Sequence, residues 1–131
     1  MFNFIINLAF VLLSGLLLGI ERHKAHGIIG VRSVTLIMLG AFIFSYISIK
    51  IGGDPSRVVA QVVSGVGFIG AGLVFKKDIY KIANVTTAIL IWVLAALGCL
   101  IGLGYLTEGI TMTLVIYLIL KVYKKLFKNG N

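Results

Sequence analysis

Few side chains in this sequence can do chemistry, and they gather in three groups. Glu21, Arg22, His23, Lys24, His26 and Arg32 stand close together in the first third of the chain. Charges of both signs at that density are either an interfacial anchor or a cluster that fixes two helices together and shapes a site. His23 and His26 are three apart, a spacing at which two imidazoles can share a metal, but no third ligand stands nearby. Asp54, with Lys50, Arg57 and Glu108, forms the second group. A hard cation such as magnesium wants several oxygen ligands and keeps much of its water, and Asp54, Glu108 and Gln61 are too few for it. The third group is neutral: Gln61, Ser64, Thr86 and Thr87, with the Trp92 indole beside them in sequence. Such groups make interhelical hydrogen bonds worth about 0.6 kcal/mol each in a membrane, or line a polar pocket. Gly65, Gly67 and Gly70 fit a loose GxGxxG string, but no strand precedes it, so a dinucleotide site is not expected. No nucleophile–base pair, zinc motif or carboxylate dyad is visible. The expectation is a protein that is not an enzyme and holds no cofactor, with magnesium the one ion to consider and no ligand cluster to hold it.

The elements that must position these residues are membrane helices. Of the 131 residues, 60% are hydrophobic and only 12% charged, and mean hydropathy is +1.10. A soluble domain carries about twice that share of charge. The whole of residues 1–131 reads as one all-α transmembrane domain, a bundle of five helices. Phe2 to Ile20 is a retained first span, with no basic residue before it and no cleavage site after it. Ser33 to Ile51 is the second. Asp54 caps the third, which runs from Pro55 to about Phe75. Asn84, Thr86 or Thr87 opens the fourth, which ends near Gly102, and Thr107 and Glu108 cap and begin the fifth, which reaches about Tyr123.

Within this frame the small residues mark close packing. Gly15 and Gly19 form a face near the end of helix one, and Ala95, Ala96, Gly98 and Gly102 another on helix four. Ser64, Gly65, Gly67, Gly70, Ala71 and Gly72 crowd the third helix on more than one side. Ala60, Ser64, Gly67 and Ala71 share one face at helical spacing. A helix small on several sides is expected at the centre of the bundle, with Gly67→Leu or Gly70→Leu disrupting folding or assembly. Trp92, mid-span, needs a partner for its indole N–H inside the bundle. Cys99, the only cysteine, reads as a small buried hydrophobe.

The net charge of +8 is explained by topology. Arg22, Lys24, Arg32, Lys76, Lys77, Lys81 and the tail lysines 121, 124, 125 and 128 lie on one side, ten against only Lys50 and Arg57 on the other. The positive-inside rule then places the N-terminus outside and the C-terminus in the cytoplasm. Membrane lipids are sufficient partners for these charges. Nucleic acid is not expected.

Four stretches, in this order, carry a resemblance: GLLLGIER at Gly15 to Arg22, GVRSVTLIMLGAFIF at Gly30 to Phe44, DPSRVVAQVVSGVGFIGAGLVF at Asp54 to Phe75, and VTTAILIWVLAALGCLIGLG at Val85 to Gly104. They resemble the MgtC/SapB family of bacterial inner-membrane proteins over most of residues 15 to 104, and SGVGFIGAG after DPSR is the most specific match. Glu21, Arg22, Arg32, Asp54, Arg57, Gln61, Ser64, Gly65, Gly67, Gly70, Gly72, Thr87 and Trp92 stand at family positions. Ser33 departs from the threonine common there. Many members carry a soluble C-terminal domain, so a short form ending at Asn131 is expected. The resemblance implies a multi-pass inner-membrane protein linked to magnesium homeostasis and low-magnesium adaptation. It also implies a regulatory action, like that of the best-known member, which restrains the F-type ATP synthase through its membrane part. Two functions follow as expectations. The first is a regulatory protein that docks membrane partners through glycine-lined faces. The second is an oligomeric transporter or channel component for magnesium or a small solute, with Gln61, Ser64 and Thr86 or Thr87 along its path and Glu21 or Arg22 at its mouth.

Overall fold

The computed structural model describes residues 2–24, 29–74 and 84–128. They form five helices: α1 (Phe2–Lys24), α2 (Val31–Lys50), α3 (Pro55–Val74), α4 (Val85–Gly102) and α5 (Leu106–Lys128). Each begins and ends within a few residues of its expected position at the membrane-facing core. The first helix runs on through Glu21, Arg22 and His23, which were expected in a connection. Glu and Arg are good helix formers, and no glycine or proline stands between Gly19 and Gly27. Four helices, α1 to α4, are long and apolar enough to cross a membrane; α5 is not among them over its described residues.

The stops and starts are local chemistry. Asp54 caps α3 as expected: its Oδ1 accepts the Ser56 backbone N–H at 2.9 Å and the Ser56 hydroxyl at 2.7 Å. Those two bonds, the hydroxyl one first, hold its carboxyl below the usual 3.8. At the end of α4, Gly104 takes φ +96°. Its N–H reaches the Ile101 carbonyl, and the next N–H, from Tyr105, reaches Leu100. This paired closure requires a left-handed residue, which glycine supplies without strain. The fifth helix opens two residues earlier than expected, at Leu106 rather than Glu108. Gly109 donates to the Tyr105 carbonyl, so Tyr105 takes the capping position and Thr107 lies inside the first turn.

The expected centre is corrected. Of the apolar window of α3 only 11% is buried, against 56% for α4. In the folded chain α4 is the hub, touching all four other helices and packed chiefly on α2 and α3, with α1 against α2 and α4 and α5 against α1 and α4. From Ala88 to Leu103, α4 has no charged residue, and a helix apolar all round is one that can be surrounded. The core joins Val11 and Leu18 of α1, Val34, Met38 and Phe42 of α2, and Ile91, Leu94 and Ile101 of α4. Phe4, Phe42 and Tyr46 stack where the start of α1 meets the end of α2, with Phe4 and Tyr46 centroids 4.5 Å apart.

The close approaches lie at α1–α2 and α2–α4. A methyl group on Gly15 would come within 2.9 Å of Thr35 Cα, and on Gly19 within 2.9 Å of Val31 Cα. On Gly98 it would collide with the Met38 carbonyl oxygen, and on Gly102 it would sit 2.5 Å from that of Phe42. Cys99 lies buried between them, its thiol 3.9 Å from the Ala41 carbonyl oxygen. By contrast no described residue would come within 4 Å of a side chain at Gly65, Gly67 or Gly72 of α3, and of its glycines Gly70 touches α4, at Ala88.

Candidate functional site

Two arrangements of polar groups emerge from this packing. At the end where α1 finishes and α4 begins, the Arg22 guanidinium donates to the Thr87 hydroxyl at 2.7 Å. Thr87 is buried. One turn of α1 above, Gly19 seats on Val31, so the starts of α2 and α4 and the end of α1 share this end of the bundle. Asn84, held at φ 63°, sends its side-chain amide to the Leu73 carbonyl at 3.2 Å and ties the end of α3 to the same place. Asn84 therefore bridges two helices rather than capping its own with its side chain. The buried Arg22 Nε has no partner among the described residues. Glu21 is half-buried beside it, while Arg32 and Thr86 are exposed.

The second arrangement is at the other end, where α2 turns into α3. A groove of about 690 Å³ opens between these helices, with Arg57, Gln61 and Gly65 along its α3 wall and Gly40 and Ala41 along its α2 wall. Ser64, Gly67 and Ala71 do not face it. With Ala60 they form the outward face of α3, and all four are exposed.

The residues expected to line one polar path are thus divided. Thr87 is at one end with Arg22, Gln61 is in the α2–α3 groove, and Ser64 faces outward. Trp92 does not point into the bundle either. It is 49% exposed and lines a smaller cavity of about 230 Å³ with Val59, Val63 and Ala96. The register of α4 sends Ile91, Leu94 and Ala95 inward and leaves Trp92 on the rim. His23 is exposed; His26 and Lys76, Lys77 and Lys81 lie outside the described residues. Among the described residues, no three His, Cys, Asp or Glu side chains come together as metal ligands.

Sequence reasoning passed over the buried hydroxyls. Thr113 of α5 donates to the Gly109 carbonyl at 2.8 Å and meets the Ser14 hydroxyl of α1 at 3.3 Å. Ser45 and Ser48 are buried on α2, with no hydroxyl partner among the described residues. Ala41 and Ser45 are four apart, the spacing of two small residues that let a helix approach, and Gly98 and Gly102 repeat it on α4.

The sequence model described as the MgtC family matches residues 8–129. Protein MgtC of Brucella abortus (strain 2308) is 40% identical over 111 residues, which is 83% of this chain and 46% of that protein. Protein MgtC of Brucella suis biovar 1 matches to the same extent. Protein MgtC of Salmonella typhimurium (strain LT2) is 36% identical over 117 residues, 88% of this chain and 50% of that protein. The chain spans about half the length of the curated relatives it matches. No solved structure matches it.

Proposed function

The chain belongs to the MgtC family, and on that premise we propose that it is a regulatory protein of the bacterial inner membrane that acts by helix–helix contact. All five helices cross the bilayer, the N-terminus outside and the basic C-terminus in the cytoplasm, in keeping with the uneven distribution of lysine and arginine. Magnesium enters through the family: the protein serves low-magnesium adaptation rather than carrying the ion. The membrane part of the F-type ATP synthase is the partner that family resemblance suggests.

The observation that carries this reading is the outward face of α3. Ala60, Ser64, Gly67 and Ala71 lie exposed on it, and no described residue would come within 4 Å of a side chain at Gly67. Lipid gives no hydrophobic reason for such a face, since tails pack as well on leucine. Small residues instead let a second backbone approach closely, with Ser64 available to hydrogen-bond across. The α2–α3 groove supports the same reading over transport, because Arg57 and Gln61 are its only charged or amide side chains.

The test is co-purification from bacterial membranes of wild type and Gly67→Leu. Leucine has room in the isolated fold, so the variant should keep its stability and lose its membrane partner. Retention of the same partner by Gly67→Leu would overturn the docking face. In liposomes loaded with a magnesium dye the wild-type protein should give no flux, and flux abolished by Gln61→Ala would establish transport instead.

A further inference from the structure

The groove between α2 and α3 has the shape of a lipid site. We propose that it holds one acyl chain of an anionic phospholipid, with Arg57 on the phosphate. Leu36, Ile37 and Phe44 of α2 and Val62, Val66 and Ile69 of α3 supply an apolar lining. Gly40 and Gly65 leave it unfilled, since a side chain at either would meet nothing within 4 Å. Its volume of about 690 Å³ is that of an ordinary small-ligand pocket, which runs from roughly 300 to 1,000 Å³.

Length and polarity choose the ligand. The α3 wall runs from Arg57 to Ile69, roughly 18 Å at the helical rise per residue. One leaflet contributes about 15 Å of hydrocarbon, half of a core of about 30 Å. The groove therefore matches one acyl chain laid along the helix. Its polar groups sit at one end, next to the α2–α3 turn, where headgroups lie. Arg57 makes no side-chain hydrogen bond or ion pair among the described residues, and the nearby Asp54 has an oxygen committed to Ser56. A planar guanidinium can grip a phosphate with two parallel hydrogen bonds. Lys50, its ammonium 5.4 Å from the Tyr46 ring centroid, adds a second positive charge near the same turn. This site is separate from the outward face of α3, and its polar end at Arg57 lies at the opposite end of α3 from Asn84.

The experiment is native mass spectrometry of the full chain in mild detergent, delipidated and titrated with dioleoyl phosphatidylglycerol. Wild type should take up one lipid per chain. Arg57→Gln should weaken that binding at least ten-fold, and so should Gly65→Leu, which fills the groove. Both variants should keep wild-type helix content, and if Gly65→Leu does not fold, Arg57→Gln decides alone. Binding by Arg57→Gln equal to wild type would overturn the proposal. So would displacement of the lipid by millimolar inorganic phosphate, which would mark a free-anion site. So would a stable dimer broken by Gly65→Leu, which would show that a second copy covers the groove.

Discussion

The sharpest prediction concerns two glycines that look alike in the sequence. Gly98 lies in the α2–α4 contact and Gly67 on the open face of α3. At Gly102, one turn beyond Gly98, an added methyl would sit 2.5 Å from the Phe42 carbonyl oxygen, about 0.8 Å inside an ordinary C–O contact of roughly 3.3 Å. Gly98 is tighter still, against the Met38 carbonyl and, at 3.0 Å, the Ala41 methyl. Neither carbonyl can swing aside without leaving its helix, so the two helices must part by about 1 Å. A gap of 0.5–1 Å forfeits a quarter to a half of each van der Waals well along the seam, and overpacking of this kind costs about 1–3 kcal/mol. Gly98→Ala should therefore raise the population of the opened state about 5- to 150-fold. Cys99, buried and the only cysteine, reports that opening directly. With reclosing faster than labelling, its maleimide reaction rate in detergent follows the opening equilibrium. Gly67→Ala should stay within about 0.5 kcal/mol of wild type by the same assay. Equal Cys99 labelling in Gly98→Ala and wild type, or equal acceleration by both substitutions, would refute the assignment of α4 as the hub.

The Arg22–Thr87 bond should show coupling of about 0.6–1.7 kcal/mol in a double-mutant cycle of Arg22→Gln and Thr87→Val, read from unfolding in micelles; additive effects would mean the bond contributes nothing. Asp54 has a folded pKa below its unfolded value, so its contribution is complete above the ordinary 3.8 and fades as pH falls through the lower folded value. Hydrogen exchange in the first turn of α3 should quicken below that pH, and Asp54→Asn should remove the pH dependence; unchanged exchange in wild type across that range would count against the cap. Gly104→Ala forces a methyl into φ +96° and should destabilise the α4–α5 corner by about 1–3 kcal/mol, measurable as a lower midpoint of thermal unfolding, with an unchanged midpoint the contrary result.

The helices were legible because a membrane span announces itself by length and hydropathy, and because Asp54–Pro55 and the glycines after α2 and α4 punctuate the chain. The face at Gly15 and Gly19 was also legible, and it meets Thr35 and Val31. What the sequence concealed was which glycine-bearing helix the chain itself surrounds. Small residues on α3 record that something approaches closely, but the periodicity is the same whether the approaching backbone belongs to this chain or another. The distinguishing sign was on α4: no charge or amide along its span, whereas α3 carries Arg57 and Gln61. Of the candidate site, the charged stretch after helix one was conspicuous, but its link to Thr87 joins residues 65 apart, and no local pattern encodes that.

The peripheral seat of α3 has a consequence for the order in which the protein is made. Its main support within the chain is α4, yet α4 is complete only when synthesis has moved on from Val74 to Gly102. At about 5–20 residues per second this leaves α3 on its own beside α2 for roughly 1–6 s. During that interval the face of α3 that α4 will cover, at Val59, Val62, Val66 and Gly70, meets only lipid, water and the insertion machinery. A substitution that adds polarity to α3 should then act before the fold exists. It would lower the amount of protein that reaches the membrane while leaving the stability of the molecules that arrive unchanged.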